Sequence, residues 1–266
     1  MKTRVFILAA AFALLTAGSA CAAPLDDYSK AGNVGIGVYT MRTNMKDDRE
    51  STHDFFNRTF DYGNKWNWGG ELTVSFAPKW ALSLDYLSSK NREYMFYSNM
   101  PDDSYMSSKL KSANIKLKYQ AYRDGKLFVA PYLGVASNKL KQTARDDASR
   151  NGYGVAEFAF NTKRKTSLLA GVTLVYGIDK DQRFKAYFDG AVGSSMYSWN
   201  MGLSCEVAKN LDFDFGYRYY RSKLNYGYAD TAIVDSSGQA IIVAGNSGKI
   251  NSTSKGIYVG LSYKFK

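Results

Sequence analysis

Two aspartates stand two residues apart in the stretch LDFDFGYRYY, which covers residues 211–220. Carboxylates at this spacing could share a proton, as paired catalytic acids do, or could hold a metal ion. Either role requires both side chains on one surface. Successive side chains of a β-strand point to opposite faces, so Asp212 and Asp214 would share a face with Arg218. The opposite face of the same strand would be apolar and aromatic.

Few other side chains of this sequence suggest chemistry. The only histidine is His53, in a Ser51-x-His53 pair within a charged stretch, and we interpret it as a solvated loop residue. Of the two cysteines, Cys21 lies in a predicted leader, which leaves Cys205 as an apolar filler of a strand. The sequence therefore predicts no catalytic residue, no metal site and no cofactor.

The first residues have the layout of a secretory signal peptide. A short basic start is followed by an apolar run over residues 5–17, which is too short to span a bilayer, and then by small residues. Ala20 and Ala22 fit the A-x-A pattern for cleavage. We predict a signal peptide at residues 1–22 and one domain at residues 23–266; processing as a lipoprotein at Cys21 is the alternative.

Composition limits the classes of protein further. The sequence has 21 tyrosines, 4 prolines and a formal net charge of +11, with a mean hydropathy of −0.34. No stretch after the leader approaches the run of about 20 apolar residues that a membrane helix needs. A barrel strand shows only every second residue to lipid, so low mean hydropathy is compatible with a membrane barrel. For an exported barrel, the positive charge does not indicate nucleic acid as a partner.

Ten segments of the sequence alternate between apolar and polar residues as β-strands do. They cover residues 33–42, 66–76, 80–86, 108–122, 126–138, 165–178, 183–193, 196–207, 211–220 and 253–265. Short and long links alternate between them, with the short link near Ser194 as the exception. Tight turns at one end and long loops at the other are typical of outer-membrane barrels and rare in soluble sandwiches. We predict an all-β fold, a transmembrane antiparallel up-and-down barrel of ten strands, with eight as the alternative.

The outward face predicted for these strands has the chemistry that suits lipid. Trp66 and Trp68 begin one strand and Trp80 begins the next, which places them near opposite interfaces of a bilayer. The sequence resembles the small bacterial outer-membrane β-barrel proteins, OmpA-like or porin-like, over the whole mature chain. The resemblance is most specific in the last strand, GIYVGLSYKF. It implies that Tyr263 and Phe265 form the signal read by the barrel-assembly machinery. Such proteins usually end on an aromatic residue, whereas here Lys266 follows Phe265.

The inward face carries charges that need partners inside a narrow barrel, because buried charge is tolerated when it is paired. These charges are Glu71, Asp85, Lys116, Lys118, Asp189, Glu206, Asp212, Asp214, Arg218 and Lys264. We interpret them as an ion-pair network that fills or gates the lumen; a selective water-filled pore is the alternative. The ten-stranded outer-membrane proteases, the omptins, combine an aspartate pair with an Asp–His pair. No Asp-x-His occurs in this sequence, which argues against that activity.

The predicted loop after the fifth strand is basic. Its basic residues are Lys139, Lys141, Arg145, Arg150, Lys163, Arg164 and Lys165, against three acidic residues. Such a loop is either solvated or in contact with lipopolysaccharide phosphates at the outer leaflet. Residues 155–160 alternate within it and could extend a strand pair above the membrane. Residues 238–248 form an apolar island in the last loop.

These observations predict a monomeric protein of the bacterial outer membrane with a structural or surface-interaction role. Its expected partners are outer-membrane lipid, lipopolysaccharide and the barrel-assembly machinery, and the sequence indicates no particular external ligand. A small passive porin-like channel is the alternative function, and an outer-membrane hydrolase is a more distant one.

Overall fold

The computed structural model describes residues 25–51, 59–94, 105–147, 155–162, 164–226, 232–234, 240–242 and 248–265. The predicted signal peptide, residues 1–22, and His53 lie outside these residues. Fourteen β-strands account for most of the described chain. In the same ranges we find no helix of the length and apolar character needed to cross a membrane.

Ten long strands form a closed antiparallel barrel, which confirms the predicted fold and strand number. They are β1 (Val34–Ser51), β2 (Thr59–Ala77), β3 (Trp80–Tyr94), β4 (Tyr105–Tyr119), β6 (Leu127–Asp147), β8 (Lys165–Gly177), β9 (Phe184–Gly193), β10 (Met196–Ala208), β11 (Leu211–Tyr226) and β14 (Gly248–Phe265). The short strands are β5 (Tyr122–Arg123), β7 (Val155–Asn161), β12 (Ala232–Val234) and β13 (Ala240–Ile242). Each barrel strand pairs with the next along the chain, and β14 pairs with β1, Phe265 lying opposite Val34. A closed barrel leaves no sheet edge unpaired.

The two ends of the barrel differ in their connections. We call the end with the tight turns after β2, β8 and β10 the turn end and the opposite end the loop end. At the turn end, Lys79 and Asn210 have φ angles of 68° and 64°, the left-handed conformation that lets a strand reverse within a few residues. The N-terminal segment, residues 25–33, and the end of β14 also lie here. The turn at Ser194 and Ser195 is the one short link at the loop end, as predicted.

The outer wall of the barrel is apolar over the part nearer the turn end. Leu168 is 76% exposed and Leu133 is 68% exposed, and Phe215 and Leu261 also point outward. Aromatic rings border this apolar belt on both sides. Trp80 contacts Tyr119 at the turn end with ring centroids 4.9 Å apart. On β2, Trp66 and Trp68 mark the opposite border. This arrangement suits a hydrocarbon slab with two polar interfaces.

Several strands are longer than predicted because the barrel continues beyond the apolar belt at the loop end. There large apolar side chains also point inward, and the outer face becomes polar. Leu110 and Leu140 lie opposite each other and are fully buried inside the barrel. Leu224 of β11 and Ile250 of β14 also point into the barrel and are fully buried. We call this part the loop-end extension; its interior holds large apolar side chains beside buried polar ones, and its exterior is polar. The alternation expected for lipid stops where the extension starts, so the predicted segments ended too early.

The short strands extend this part of the sheet. β7 pairs with the end of β6, Asn161 lying opposite Lys141, so residues 155–160 do extend a strand pair. In the last loop β12 and β13 form a separate two-stranded sheet. β13 lies within the apolar island predicted at residues 238–248, and β14 begins at its last residue.

Inside the barrel, tyrosine rings lie across glycines of neighbouring strands. The pairs are Tyr39 over Gly69, Tyr132 over Gly171, Tyr187 over Gly202 and Tyr258 over Gly216. A Cβ at Gly171 would lie 2.5 Å from the phenol of Tyr132 and 2.2 Å from the backbone oxygen of Gly190. Glycine at such positions lets an aromatic ring pack flat on the sheet. A layer of buried rings therefore narrows the lumen at mid-height.

Candidate functional site

Three cations and three carboxylates meet inside the barrel next to the tyrosine rings. Lys116 Nζ lies 3.0 Å from Asp189 Oδ1. Lys118 Nζ lies 2.9 Å from Glu71 Oε1, and Arg218 Nη2 lies 2.8 Å from Asp85 Oδ2. We call these six residues the lumen layer. The three cations and three carboxylates balance in charge, which is what the low dielectric of a filled lumen requires.

The carboxylates of this layer also accept hydrogen bonds from neutral side chains. Asp189 accepts hydrogen bonds from the hydroxyls of Tyr132 at 2.9 Å and Thr173 at 2.6 Å. Glu71 accepts from Ser83 at 2.6 Å, and Asp85 accepts from Asn114 at 3.0 Å. The carboxylates are therefore held in place by neutral donors as well as by cations, which fixes the geometry of the ion pairs.

Cations of the layer also rest on tyrosine faces. Arg218 Cζ lies 5.4 Å from the centroid of the Tyr39 ring, and Lys116 Nζ lies 5.0 Å from that of Tyr132. The Arg218 guanidinium also donates to the Tyr39 hydroxyl at 2.5 Å. A cavity between the charged groups has a volume of about 10 Å³, which is room for about one water molecule. The charged and aromatic groups of the layer are therefore closely packed.

The two aspartates of the stretch at residues 211–220 have different partners. Asp212 is bound by Lys264, with Nζ 2.6 Å from Oδ2, whereas Asp214 accepts a hydrogen bond from Ser262 at 3.1 Å. Glu206 accepts a hydrogen bond from the backbone amide of Asn210 at 3.1 Å. Among the described residues, no group of three or more histidine, cysteine or acidic side chains could hold a metal ion. The two carboxylates therefore act as separate members of the lumenal charge arrangement.

The N-terminal segment, residues 25–33, packs against lumenal side chains at the turn end of the barrel. Asp26 contacts Lys185 at 2.5 Å and Lys264 at 3.6 Å. The backbone amide of Tyr28 donates to Gln120 Oε1 at 2.9 Å, and its ring is fully buried. A cavity of about 150 Å³, lined by acidic and basic side chains, remains beside the segment. The sequence analysis does not predict this segment; the available signal is an aspartate pair and a tyrosine at residues 26–28, a few residues after the predicted cleavage site.

The charge of Asp26 should control the docking of the N-terminal segment. Burial alone would raise the pKa of Asp26, but Lys264 and Lys185 hold it well below its usual range. A carboxylate with a lowered pKa stabilises the folded form above its unfolded pKa of about 3.9, and this stabilisation is lost as the pH falls through the lowered value. We expect the Tyr28 amide to be equally protected from hydrogen exchange at pH 7 and pH 5, relative to an unfolded peptide, and less protected near pH 2.

A substitution separates this effect from general acid unfolding. Asp26→Asn should reduce the protection of the Tyr28 amide at pH 7 by about 10–100-fold, since a hydrogen bond to a charged group contributes about 1.5–3 kcal/mol. Asp61→Asn is the matched control, because Asp61 is exposed near the loop end and far from the segment. Equal protection in the two variants would show that Asp26 does not hold the segment.

A second polar cluster fills the loop-end extension. Asp47 is fully buried and accepts hydrogen bonds from Ser108 at 2.7 Å and from Gln142 at 2.5 Å. Toward the lumen layer, the Tyr220 hydroxyl donates to Asn138 at 2.6 Å. Asp47 lies beyond the predicted first strand, residues 33–42, because the strand alternation that suits lipid ends before it. Buried polar side chains therefore continue inside the barrel from the lumen layer into the extension.

The basic residues predicted to contact lipopolysaccharide fall into three groups. Lys139 and Lys141 are exposed on the outer wall of β6. Arg164 is exposed before β8, whereas Lys165 lies opposite Asn138 and so shares its lumenal face. Arg145 belongs to β6, and Arg150 and Lys163 lie outside the described residues. The structure therefore keeps only part of this predicted set on one surface.

The proposed assembly signal lies where the barrel closes. The rings of Tyr263 and Phe265 contact each other with centroids 4.6 Å apart. Both residues pair with the start of β1 at the turn end. They are outward-facing, so their rings border the apolar belt.

Comparisons with known proteins find solved structures of low similarity. No family model matches the sequence, and no curated protein matches it. Solved structures with a similar chain path include the outer membrane protease OmpT from Escherichia coli, with 12% identity, 91% of this chain and 99% of that chain covered, and a TM-score of 0.46. The outer membrane protein OprG from Pseudomonas aeruginosa has 11% identity, coverage of 91% and 99%, and a TM-score of 0.40. The attachment invasion locus protein Ail of Yersinia pestis has 10% identity, coverage of 89% and 100%, and a TM-score of 0.35.

The geometry of the chain itself identifies its environment. A closed antiparallel barrel with an apolar belt, aromatic borders and a charged interior is the architecture of bacterial outer-membrane β-barrel proteins. A soluble barrel with the same belt would expose a continuous apolar wall to water.

Proposed function

We propose that this protein is a closed outer-membrane barrel with a structural or surface-interaction role, and that its functional surfaces lie on the outer wall and at the loop end. The turn end would face the periplasm and the loop end the cell exterior, as tight turns and long loops do in such barrels. The lumen layer is the observation that carries this proposal. Its cavity has room for about one water molecule, and the N-terminal segment packs at the turn end as well.

We further propose that the role is non-enzymatic. Ten-stranded barrel proteases use histidine beside their aspartates, and the only histidine of this sequence is His53. Asp212 is bound by Lys264, and Asp214 lies at the turn-end half of its strand. A substrate arriving from outside would have to pass the lumen layer to reach either carboxylate.

Single-channel recording of the refolded mature chain in a planar bilayer tests the closed lumen. We expect no stable conductance steps from a chain whose insertion is verified by its heat-dependent electrophoretic mobility. The double variant Asp85→Ala/Arg218→Ala keeps the layer neutral and removes two side chains from it. This variant should show steps.

The alternative function is a small passive channel. The cavity of about 150 Å³ beside the N-terminal segment favours it, because removal of that segment would leave a polar vestibule. Reproducible steps from the wild-type chain, of the same size as those of the double variant, would overturn the closed barrel and support the channel.

A further inference from the structure

Five lysines on three adjacent strands point outward from the same part of the wall. They are Lys90 on β3, Lys109 and Lys111 on β4, and Lys139 and Lys141 on β6. We call them the lysine patch. Lys109 lies directly opposite Lys90 on one side and Lys141 on the other, and Lys111 lies opposite Lys139. Cβ atoms of directly opposite residues are about 4.5–5.5 Å apart, so these five ammonium groups form one cluster.

The charge of this patch is not compensated within the part of the chain that the structure describes. None of the five lysines takes part in an ion pair there. The outward positions of β3 from Trp80 to Arg92 and of β4 carry no acidic residue. Like charges directly opposite each other destabilise a sheet. A solvated surface would relieve this repulsion by mixing the signs of its charges, which these outward positions of β3 and β4 do not do.

The patch lies directly at the border of the apolar belt. On β4, the next outward residues toward the turn end are Ala113, Ile115 and Leu117, all exposed. On β6 they are Ser137 and then Val135, which is 39% exposed. The lysines are therefore placed at the level where lipid headgroups meet acyl chains. Because Leu110 points into the barrel between Lys109 and Lys111, the loop-end extension starts at this same level.

We propose that the lysine patch binds the phosphate groups of a phosphorylated glycolipid, lipopolysaccharide, in the outer leaflet. This inference rests on the proposed orientation of the barrel. Clustered ammonium groups supply several charge-assisted hydrogen bonds to phosphate oxygens. The acyl chains would pack on the apolar wall next to the patch, beside Ile115 and Leu133. A free phosphate ion would gain nothing from that wall, so the arrangement favours a lipid.

Binding of lipid A to the refolded barrel in zwitterionic micelles tests the site. The variant Lys109→Gln/Lys111→Gln/Lys139→Gln should bind diphosphorylated lipid A about 100-fold more weakly than the wild type, since each basic residue near an anionic surface contributes about 1 kcal/mol, or roughly fivefold. The matched control removes three exposed lysines at the turn end. It is Lys126→Gln/Lys180→Gln/Lys209→Gln, and its affinity should equal that of the wild type.

Two further ligands identify what is recognised. Lipid A without phosphates and inorganic phosphate alone should both bind the wild type at least about tenfold more weakly than diphosphorylated lipid A. Equal lipid A affinity of the two triple variants would overturn the proposal, as would equal binding of the phosphate-free lipid. Inorganic phosphate that binds as tightly as lipid A would also overturn it, because the site would then be a simple anion site. Each variant is also recorded in a planar bilayer, so that a failed closed lumen is distinguished from a failed lipid site.

Discussion

Replacement of Lys118 by methionine is expected to lower the free energy of unfolding by about 3–5 kcal/mol. The Lys118 side chain has no exposed surface, and its ammonium lies 2.9 Å from Glu71 and 3.8 Å from Asp189. Methionine fills a similar volume but leaves the lumen layer with two cations and three carboxylates. The uncompensated charge stays buried, because these carboxylates are also held by neutral donors. Equilibrium urea unfolding in phospholipid vesicles, followed by tryptophan fluorescence, measures the loss.

A double variant distinguishes the charge effect from a packing effect. Lys118→Met/Glu71→Gln restores neutrality with two cations and two carboxylates. We expect it to recover most of the stability lost in Lys118→Met, as neutral replacements of buried ion pairs often do. If the double variant is as unstable as the sum of its single variants, the pair does not act through charge, and the lumen layer would contribute packing alone.

The direction of these side chains was predictable from sequence, and their partners were not. Alternation of residues places Lys116 and Lys118 on the inner face of β4, because the side-chain period of a strand is two. It does not say which strand lies across the lumen. Asp189, the partner of Lys116, is 73 residues away in sequence, and only the closure of the barrel brings them together.

Three lysines of the patch, Lys90, Lys109 and Lys111, and the loop-end extension are not predicted from the sequence, for a related reason. Lys109 and Lys111 have odd numbers, while Lys116 and Lys118 have even numbers, so the two pairs point to opposite faces of one continuous strand. A prediction that assigns a single lipid-facing side to a strand cannot place both pairs. The change of face becomes informative once the strand is known to run without a break from Tyr105 to Tyr119. It then marks the level at which the surroundings of the wall change from hydrocarbon to water.

The second large effect is expected on the free energy of unfolding when arginine is placed on the outer wall within the apolar belt. Phe215→Arg should lower the free energy of unfolding in vesicles by about 2–4 kcal/mol, because arginine at the middle of the apolar belt must leave water on insertion. Phe215 is 49% exposed on the outer face of β11. It lies midway between Leu211 at the turn end and Tyr219 near the loop-end border of the apolar belt. Urea unfolding of the inserted barrel provides the measurement.

The control places arginine on the same strand and the same face, but beyond the apolar belt. Asn225 is exposed on the outer face of β11 in the loop-end extension, and Asn225→Arg should change the unfolding free energy by no more than about 0.5 kcal/mol. The difference between the two variants measures the depth of the position, because strand, face and introduced residue are shared. Equal effects would mean that Phe215 does not face hydrocarbon. The border of the apolar belt would then not lie at the lysine patch, because the placement of Phe215 inside the belt and of the patch at its edge depend on the same border.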